Sequence, residues 1–240
     1  MDVTDAKELT GIQTVVIHSG GMDSSLCLAL AVDEFGAEHV LSLGFDYGQR
    51  HSDELDRAQT IADWFGVRRY VVQIGCYGEL TKNALMDAAI PIEHVEGESP
   101  NTLVVGRNGL MVRLGAILAE QLGANSVYTG VIGVEAANSG YRDCTRAYMD
   151  LMEQILRLDL GRDDFEVRTP IVHMSKKETM DLGHEHGCLD FLLDVTVTCY
   201  EGVPHAGCGV CPACRLRNEG IQEFVAENPA FKLPFSIGSA

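Results

Sequence analysis

Residues 19–25 (SGGMDSS) decide the fold class because of what stands on either side of them. Residues 13–18 (QTVVIH), which precede the loop, form a short apolar run that predicts a β-strand. Residues 23–35, which follow it, have the helical spacing of Leu26, Leu30 and Phe35. A strand, a glycine turn and a helix in this order are typical of the phosphate site of a doubly wound α/β fold.

The residue types in this loop suit an anion. Two consecutive glycines allow positive φ and a close backbone approach, while serine hydroxyls add donors beside the helix N-terminus. Neither the GxxxxGK[ST] of a Walker A loop nor the GxGxxG of a dinucleotide fold is present. A turn that only caps a helix is the alternative. We predict a pyrophosphate cradle made by Ser19, Gly20, Gly21, Met22, Asp23, Ser24 and Ser25, which the resemblance described below assigns to ATP.

Apolar runs alternate with helical patterns along the rest of the chain. We predict strands over residues 39–45, 69–74, 126–131 and 165–168, and helices over residues 54–65, 108–122 and 146–158. Ser175 and Glu178 form a capping box that begins another helix. This alternation predicts a mostly parallel sheet covered on both faces, with ligands at the carboxyl ends of the strands. Residues 75–102 have weak periodicity, which favours a partly ordered loop over the site, disordered in the free protein.

Length and composition favour one globular unit. With 240 residues, 46% of them hydrophobic, the chain can bury one core, so we expect a single domain over residues 1–240. Residues 1–11 lack the basic start and apolar core of a signal peptide, and no apolar run approaches the ~18 residues of a membrane span. We therefore expect a cytoplasmic protein with no membrane partner. The net charge of −17 favours a small-molecule substrate over nucleic acid, although a solvated surface explains it equally.

Half of the eight cysteines crowd into one short segment at about residues 195–220. The CxxC spacing allows a tight turn that brings two sulfurs to one tetrahedral ion, and a set of four sulfurs leaves no open position for catalysis. We predict a structural zinc site made by Cys199, Cys208, Cys211 and Cys214. An iron–sulfur cluster and a redox disulfide are the alternatives. Buried, inert thiols are expected at Cys27, Cys76 and Cys188.

Further motifs lie between the phosphate loop and the cysteines, at residues 45–51 (FDYGQRH), 101–108 (NTLVVGRN) and 139–144 (SGYRDC). Residues 198–217 add TCY and CGVCPACRLR around the four cysteines. The loop itself resembles the SGGxDS signature of the PP-loop ATP pyrophosphatases. The whole series, in this order, resembles the 7-cyano-7-deazaguanine synthases of queuosine biosynthesis, a PP-loop branch, over most of the chain.

The resemblance implies an adenine nucleotide alpha-hydrolase-like, Rossmann-like fold with a C-terminal zinc-binding segment. It also implies a reaction in which ATP, with Mg²⁺, activates 7-carboxy-7-deazaguanine as an acyl adenylate. Ammonia then gives an amide, and activation of the amide oxygen followed by elimination gives the nitrile. Adenylation must come first because a carboxylate is a poor electrophile, and a closed site must keep water from the adenylate. A homodimer is implied as well.

The resemblance implies a substrate pocket made by Tyr47, Arg107, Asn108, Tyr141 and Asp143. Arg107 is suited to stabilise charge on a carboxylate or phosphate, with a surface ion pair as the alternative. Asn108 and Asp143 suit the amide and amino edge of the purine, whereas the tyrosines either stack on a ring or only pack. His51 either forms a hydrogen bond in the site or caps the next helix.

Asp23, Arg107 and Asp143 are the predicted catalytic residues. A carboxylate beside phosphates repels them unless it holds Mg²⁺ or a backbone donor, so we assign Asp23 to metal or loop support.

Two departures from the family pattern bear on the product. Val105 replaces a proline before GRN, and residues 132–138 (IGVEAAN) are longer than the usual acidic link. Because we expect both near the pocket, an enzyme that stops at the amide, or one that passes the activated deazaguanine to another acceptor, stays open. A tRNA-modifying PP-loop enzyme is a further alternative that predicts a basic surface. A non-enzymatic zinc module leaves the phosphate loop unexplained.

Overall fold

The computed structural model describes residues 9–48, 53–75, 77–81, 83–84, 89–92, 100–133 and 140–237. The strands in this part are β1 (Thr14–Ile17), β2 (Val40–Asp46), β3 (Arg68–Gln73), β4 (Ser126–Thr129) and β5 (Glu166–Arg168). The α-helices are α1 (Met22–Phe35), α2 (Asp53–Trp64), α3 (Tyr77–Leu80), α4 (Arg107–Leu122), α5 (Arg146–Leu160), α6 (Lys176–Glu185), α7 (Leu189–Val195) and α8 (Pro212–Glu227). The predictions for His51, Cys76, Ser139 and residues 134–138 lie outside the described residues.

The strands form one parallel sheet in the order β3-β2-β1-β4-β5. Thr14 of β1 is in register with Val40 on one side and with Ser126 on the other. The connections from β1 to β2 and from β4 to β5 run in opposite directions across the sheet, so the chain diverges at the carboxyl ends of β1 and β4. Such a divergence opens the crevice in which doubly wound folds bind their ligands.

Both faces of the sheet are covered, because neighbouring residues of each strand point to opposite sides. Val15 of β1 packs into the apolar cluster that contains α4 and α5, whereas Val16 packs into the cluster that contains α1. Apolar residues of α6, α7 and α8 join the cluster on the α1 side, including Met180, Leu192 and Phe224. The predicted doubly wound, mostly parallel fold is confirmed.

The C-terminal helices carry one side chain toward the site. Helix α8 approaches the start of α6 closely at Gly220, where a Cβ would lie 2.5 Å from the Cβ of Lys176. The predicted capping box is present, since Glu178 N donates to Ser175 Oγ (3.2 Å) and Ser175 N donates to Glu178 Oε2 (2.7 Å). Packing against α8 and this cap together fix the first turn of α6, which contains Lys176.

The predicted strands and helices all agree with the structure within a few residues. Helices α7 and α8 were not predicted, and α3 adds one helical turn within residues 75–102. The predicted disorder of that loop stays a prediction. None of the described helices is long and apolar enough to cross a membrane.

Candidate active site

The phosphate loop joins β1 to α1, and its first turn has room for no residue larger than glycine. Gly20 has a φ of +89°, and a Cβ there would lie 2.7 Å from the carbonyl oxygen of Glu54 at the start of α2. Gly21 has a φ of −78° and is the N-cap of α1. Of the two glycines that allow positive φ, only Gly20 adopts it, because Gly21 has the extended geometry of an N-cap.

The serine side chains of the loop hold its shape. Ser24 Oγ and Ser25 Oγ donate to the carbonyl oxygen of Gly21 at 3.0 Å and 2.8 Å, and Ser19 N donates to Ser24 Oγ at 3.2 Å. Ser25 is fully buried, and Met22 is buried in the core on the α1 side. These contacts orient the first turn of α1 toward the crevice, where its N–H groups suit an anion.

Gly130, which follows β4, presses on the same turn. A Cβ at this position would lie 2.6 Å from the backbone nitrogen of Ser24. Any side chain larger than hydrogen would therefore displace the helix that binds the phosphates. The sequence analysis did not predict this contact, because a single glycine after a strand does not indicate which part of the chain packs against it.

Asp23 forms an ion pair with Lys176, a residue that the sequence analysis placed only in a helix cap. Lys176 Nζ donates to Asp23 Oδ2 at 2.6 Å, and the lysine side chain is only 5% exposed. Asp23 Oδ1 is buried and has no hydrogen-bond partner among the residues described. The free oxygen suits a magnesium ion, a hard cation that prefers oxygen ligands. The pair places both charges beside the phosphate loop.

A cavity of about 320 Å³ lies at the carboxyl ends of β1, β2 and β4. The phosphate loop forms one wall, which we call the nucleotide wall (residues 18–25). Of the predicted ATP-binding residues in it, Ser19, Gly21, Met22, Asp23 and Ser24 line the cavity, whereas Gly20 and Ser25 lie behind the lining. The opposite side is formed by side chains from separate segments, and we call it the substrate wall: Tyr47, Arg107, Asn108, Cys144 and Tyr200. Of the predicted pocket residues, Tyr47, Arg107 and Asn108 line the cavity, whereas Tyr141 and Asp143 lie outside its lining. The cavity thus joins the predicted nucleotide site to part of the predicted substrate site.

Arg107 keeps its charge in this wall. Its Nη1 donates to the Tyr47 hydroxyl at 3.4 Å. Burial acts to lower the pKa of Arg107, but Tyr47 and then Asp143 outweigh it, so the pKa stays above its ordinary value. A permanently charged guanidinium in a recess is suited to pair with a carboxylate.

Asp143 supports the substrate wall from behind. The residue is buried, and its Oδ2 accepts a hydrogen bond from Asn108 N at 3.0 Å, at the N-terminus of α4. A carboxylate there is stabilised by the helix dipole and fixes the first turn. Asn108 Nδ2 in turn points to Cys144 Sγ at 3.3 Å. The predicted contact of Asp143 with substrate stays a prediction, and Cys144 is a cavity residue that the sequence analysis missed.

Three hydroxyl groups connect the remaining motifs. The Tyr141 hydroxyl hydrogen-bonds with the Thr102 hydroxyl and lies 3.5 Å from the Tyr200 hydroxyl. Tyr200 lines the cavity and directly follows Cys199. The cysteine segment therefore reaches the cavity, which Tyr200 lines together with Cys199 and Ala213, a contact that the sequence analysis did not predict.

The four predicted metal ligands come together. The sulfur atoms of Cys199, Cys208, Cys211 and Cys214 all lie within 4.8 Å of one another. Cys211 N points to Cys208 Sγ at 3.3 Å and Cys214 N to Cys211 Sγ at 3.4 Å. Zn–S bonds of about 2.3 Å place tetrahedral sulfurs about 3.8 Å apart, so the set fits one metal ion. The four thiolates of a [4Fe–4S] cluster bind different irons and stand farther apart, so this spacing favours a single ion.

Two other cysteines behave as expected of buried thiols. Cys27 lies fully buried in the core, and burial raises its pKa well above the ordinary value. Burial also raises the pKa of Cys188 to about 11. Both therefore stay protonated at neutral pH and are poor nucleophiles.

Val105 and Ile132, the two departures that the structure describes, differ in position. Val105 is 84% exposed and does not line the cavity, contrary to the expectation from sequence. Ile132 is buried and does line it. The residue that replaces the usual proline therefore has no contact with the cavity.

A family model identifies the family of this chain. The family model described as "Queuosine biosynthesis protein QueC" matches residues 13–225. The chain belongs to the QueC family. The match contains both cavity walls and all four cysteines, and it supports a PP-loop enzyme that uses ATP.

Solved structures with a similar fold are distant in sequence. They include NMN synthetase from Francisella tularensis, at 14% identity over 97% of this chain and 92% of that chain (TM-score 0.47). The U34-tRNA thiolase NcsA from Methanococcus maripaludis, with its [4Fe-4S] cluster, is similar at 12% identity over 99% and 83% (TM-score 0.49). A 4-thiouridine synthetase in complex with RNA and ATP is similar at 17% identity over 92% of this chain and 52% of that chain (TM-score 0.47). This QueC-family chain thus spans about half the length of the last of these proteins.

Proposed function

We propose that this QueC-family chain is a carbon–nitrogen ligase that converts 7-carboxy-7-deazaguanine and ammonia into 7-cyano-7-deazaguanine, with ATP as co-substrate. The observation that carries the proposal is the single cavity in which the phosphate loop faces Arg107 and Asn108. An adenylation needs the α-phosphate of ATP and a substrate carboxylate side by side, and these two walls suit the two groups.

The first step is the attack of a carboxylate oxygen on the α-phosphorus of ATP, which forms the acyl adenylate and releases pyrophosphate. The N–H groups of the phosphate loop hold the departing phosphates, and Lys176 adds a positive charge beside them. The buried Asp23 Oδ1 is suited to hold Mg²⁺, which would neutralise phosphate charge.

The second half of the reaction takes place at the substrate wall. Ammonia attacks the activated carbonyl and displaces AMP to give the amide. A second ATP activates the amide oxygen, and loss of a proton from nitrogen together with AMP leaves the nitrile. Arg107 pairs with the carboxylate before the reaction and with the negative oxygen that develops during it, while Asn108 reads the purine edge. Tyr47 is held against Arg107 and orients its guanidinium.

We assign Zn²⁺ to the four cysteines in a structural role. Zinc at this place would hold the segment at about residues 195–220, and with it Tyr200, against the substrate wall. We further propose a cytoplasmic homodimer of single-domain chains that bind no nucleic acid, in keeping with the net charge of −17.

Mass spectrometry of the products tests this proposal. The protein is incubated with 7-carboxy-7-deazaguanine, ammonium, Mg²⁺ and ATP, and we expect the nitrile and AMP. Accumulation of the amide alone would mean that the enzyme forms an amide and not a nitrile. The absence of both products would overturn the proposed substrate. Incubation with tRNA in place of the deazapurine should give no AMP.

A further inference from the structure

A row of polar side chains, buried at His18, Ser25 and Ser42 and half-buried at Arg69, runs beneath the phosphate loop. Arg69 of β3 donates from Nη1 to Ser42 Oγ of β2 at 2.9 Å. Ser42 Oγ lies 2.9 Å from Nδ1 of His18, the residue between β1 and the loop. His18 Nε2 lies 3.0 Å from Ser25 Oγ, and Ser25 Oγ donates to the carbonyl oxygen of Gly21 at 2.8 Å. The row connects the guanidinium of Arg69 on β3, two strands from β1, to the backbone of the phosphate loop.

The hydrogen bonds of this row have a single direction. The hydroxyl of Ser25 has one proton, which it donates to Gly21, so it must accept the proton on Nε2 of His18. The other ring nitrogen, Nδ1, is then an acceptor and takes the proton of Ser42. Arg69 Nη1 also lies 3.4 Å from Nδ1, and a donor that close disfavours a proton on this nitrogen.

The charges along the row suit this arrangement. Burial and then the charge of Arg69 lower the pKa of His18 to about 3, so the ring stays neutral at physiological pH. Burial lowers the pKa of Arg69 to about 10, which leaves the guanidinium charged. The guanidinium of Arg69 packs against Gly44 of β2. A Cβ at this position would be only 2.3 Å from Arg69 Nη2, so only glycine leaves space for the guanidinium.

The end of the row helps to orient the loop backbone, together with the Ser24 hydroxyl and the first helical N–H of α1. The carbonyl oxygen of Gly21 accepts from Ser24 Oγ, from Ser25 Oγ and from Ser25 N at 3.1 Å. These three donors hold the carbonyl away from the crevice. A carbonyl oxygen that faced the crevice would repel phosphate oxygens, whereas the N–H groups of the same turn attract them.

We infer that Arg69, Ser42 and His18 are positioning residues for the pyrophosphate of ATP: they form a one-way hydrogen-bond relay that keeps the Gly21 carbonyl turned inward. The relay acts through Ser25, which does not line the cavity. His18 does line it, but its side chain is fully buried and both ring nitrogens are turned to Ser42 and Ser25. It rests on the proposed function in one respect, since the ligand that it serves is the triphosphate of ATP. The direction of the relay is a property of the free protein and is independent of any reaction.

The first test is the tautomer of His18 in the nucleotide-free wild-type protein, measured by ¹⁵N NMR of selectively labelled histidine. The resonances of His18 are assigned by comparison with the His18→Phe variant. We expect a neutral ring with its proton on Nε2 at pH 7. A proton on Nδ1, or an imidazolium, would overturn the relay whether or not the protein binds ATP.

The second test compares two buried serines on neighbouring parts of the sheet. Ser42→Ala interrupts the relay, whereas Ser126→Ala removes a buried hydroxyl that donates to Thr14 Oγ1 (2.8 Å) at the amino end of β1. Calorimetry with inorganic pyrophosphate and Mg²⁺, and separately with adenosine, is the measurement. We expect Ser42→Ala to weaken pyrophosphate binding about three- to tenfold and to leave adenosine binding unchanged.

Ser126→Ala should bind both probes as the wild type does, with a comparable decrease in Tm. Equal pyrophosphate affinity in the two variants would overturn the inference while leaving the proposed function intact. A wild-type protein that does not bind pyrophosphate would overturn both.

Discussion

The two walls of the cavity are built in different ways. The nucleotide wall comes from the contiguous residues 18–25, whose shape is fixed by one glycine of positive φ and by hydrogen bonds within the loop. The substrate wall comes from residues far apart in sequence, from Tyr47 to Tyr200, held by contacts between side chains. The nucleotide wall should therefore be most sensitive to changes in its own backbone, whereas the substrate wall depends on side-chain contacts between segments that are distant in sequence.

The largest effect is expected from Gly20→Ala, which strikes the backbone of the nucleotide wall. The new Cβ combines a φ of +89° with a contact of 2.7 Å to the Glu54 carbonyl, so α1 and α2 must separate. We expect a loss of about 3 kcal/mol in the free energy of unfolding and no measurable ATP–pyrophosphate exchange.

Gly123→Ala is the matched control, because Gly123 has a φ of +72° with nothing within 4 Å of the added Cβ. It should cost about 1 kcal/mol by backbone strain alone and keep full exchange activity. Exchange activity in Gly20→Ala near that of the control would show that the loop tolerates a side chain.

Loss of the ion pair at the nucleotide wall should come next. Lys176→Met removes the cation beside the phosphates and leaves a buried carboxylate on Asp23 without its partner. We expect kcat/KM for ATP to fall by about 100-fold, with little change in KM for the deazapurine.

The adjacent Lys177 pairs with Asp181 and Glu227 and is the control for the lost charge. Lys177→Met should keep kcat/KM for ATP within about threefold of wild type, as expected of a surface pair. Equal losses in the two variants would remove Lys176 from the site.

Asp23→Ala tests the other member of this ion pair, the carboxylate. If the buried Asp23 Oδ1 holds Mg²⁺, this variant should lose adenylation, and added Mg²⁺ should not restore it. ATP–pyrophosphate exchange measured against Mg²⁺ concentration gives the result. Wild-type turnover by Asp23→Ala would exclude a role in catalysis.

The metal site tests the comparison, because Tyr200 of the substrate wall directly follows Cys199, one of the four sulfur ligands. Cys211→Ser should release the metal, lower Tm and raise KM for the deazapurine, while the affinity for ATP stays close to wild type. Metal content is read by elemental mass spectrometry, with Cys188→Ser as a buried-thiol control that keeps its metal. Unchanged metal content in Cys211→Ser would refute the four-sulfur site.

The smallest effect is expected from Tyr200→Phe, which removes one hydroxyl next to Tyr141. We expect KM for the deazapurine to increase about threefold with kcat/KM for ATP–pyrophosphate exchange unchanged. Tyr70→Phe, in the core on the α4 side, serves as the control. An equal change in ATP kinetics would mean that the two walls are not separable.

The contrast between the walls also explains what the sequence predicts. The phosphate loop and the four cysteines are local patterns, so strand, glycine turn and CxxC spacing identify them without knowledge of the fold. Gly130, Lys176 and Tyr200 act on residues more than fifty positions away, and neither periodicity nor spacing contains that information. Helix α8 was not predicted, although Pro212 at its first position is a residue type that favours the start of a helix.

The row of hydrogen-bonded side chains from Arg69 to Ser25 could not be predicted from the sequence either. In sequence His18 belongs to an apolar run and Arg69 to a strand, and only the pairing of β1, β2 and β3 brings them together. An arginine on a strand is by itself no sign of a buried partner, since arginines are mostly exposed. Its partners depend on the strand order, which is a property of the whole fold.

The most direct test of the account is the fate of ¹⁸O from doubly labelled 7-carboxy-7-deazaguanine. If both activations occur in one cavity, each of the two carboxylate oxygens leaves on an AMP. We therefore predict two AMP for each nitrile, each with one ¹⁸O, as measured by mass spectrometry. Unlabelled AMP, or the formation of ADP and phosphate, would contradict adenylation of the carboxylate and with it the central claim.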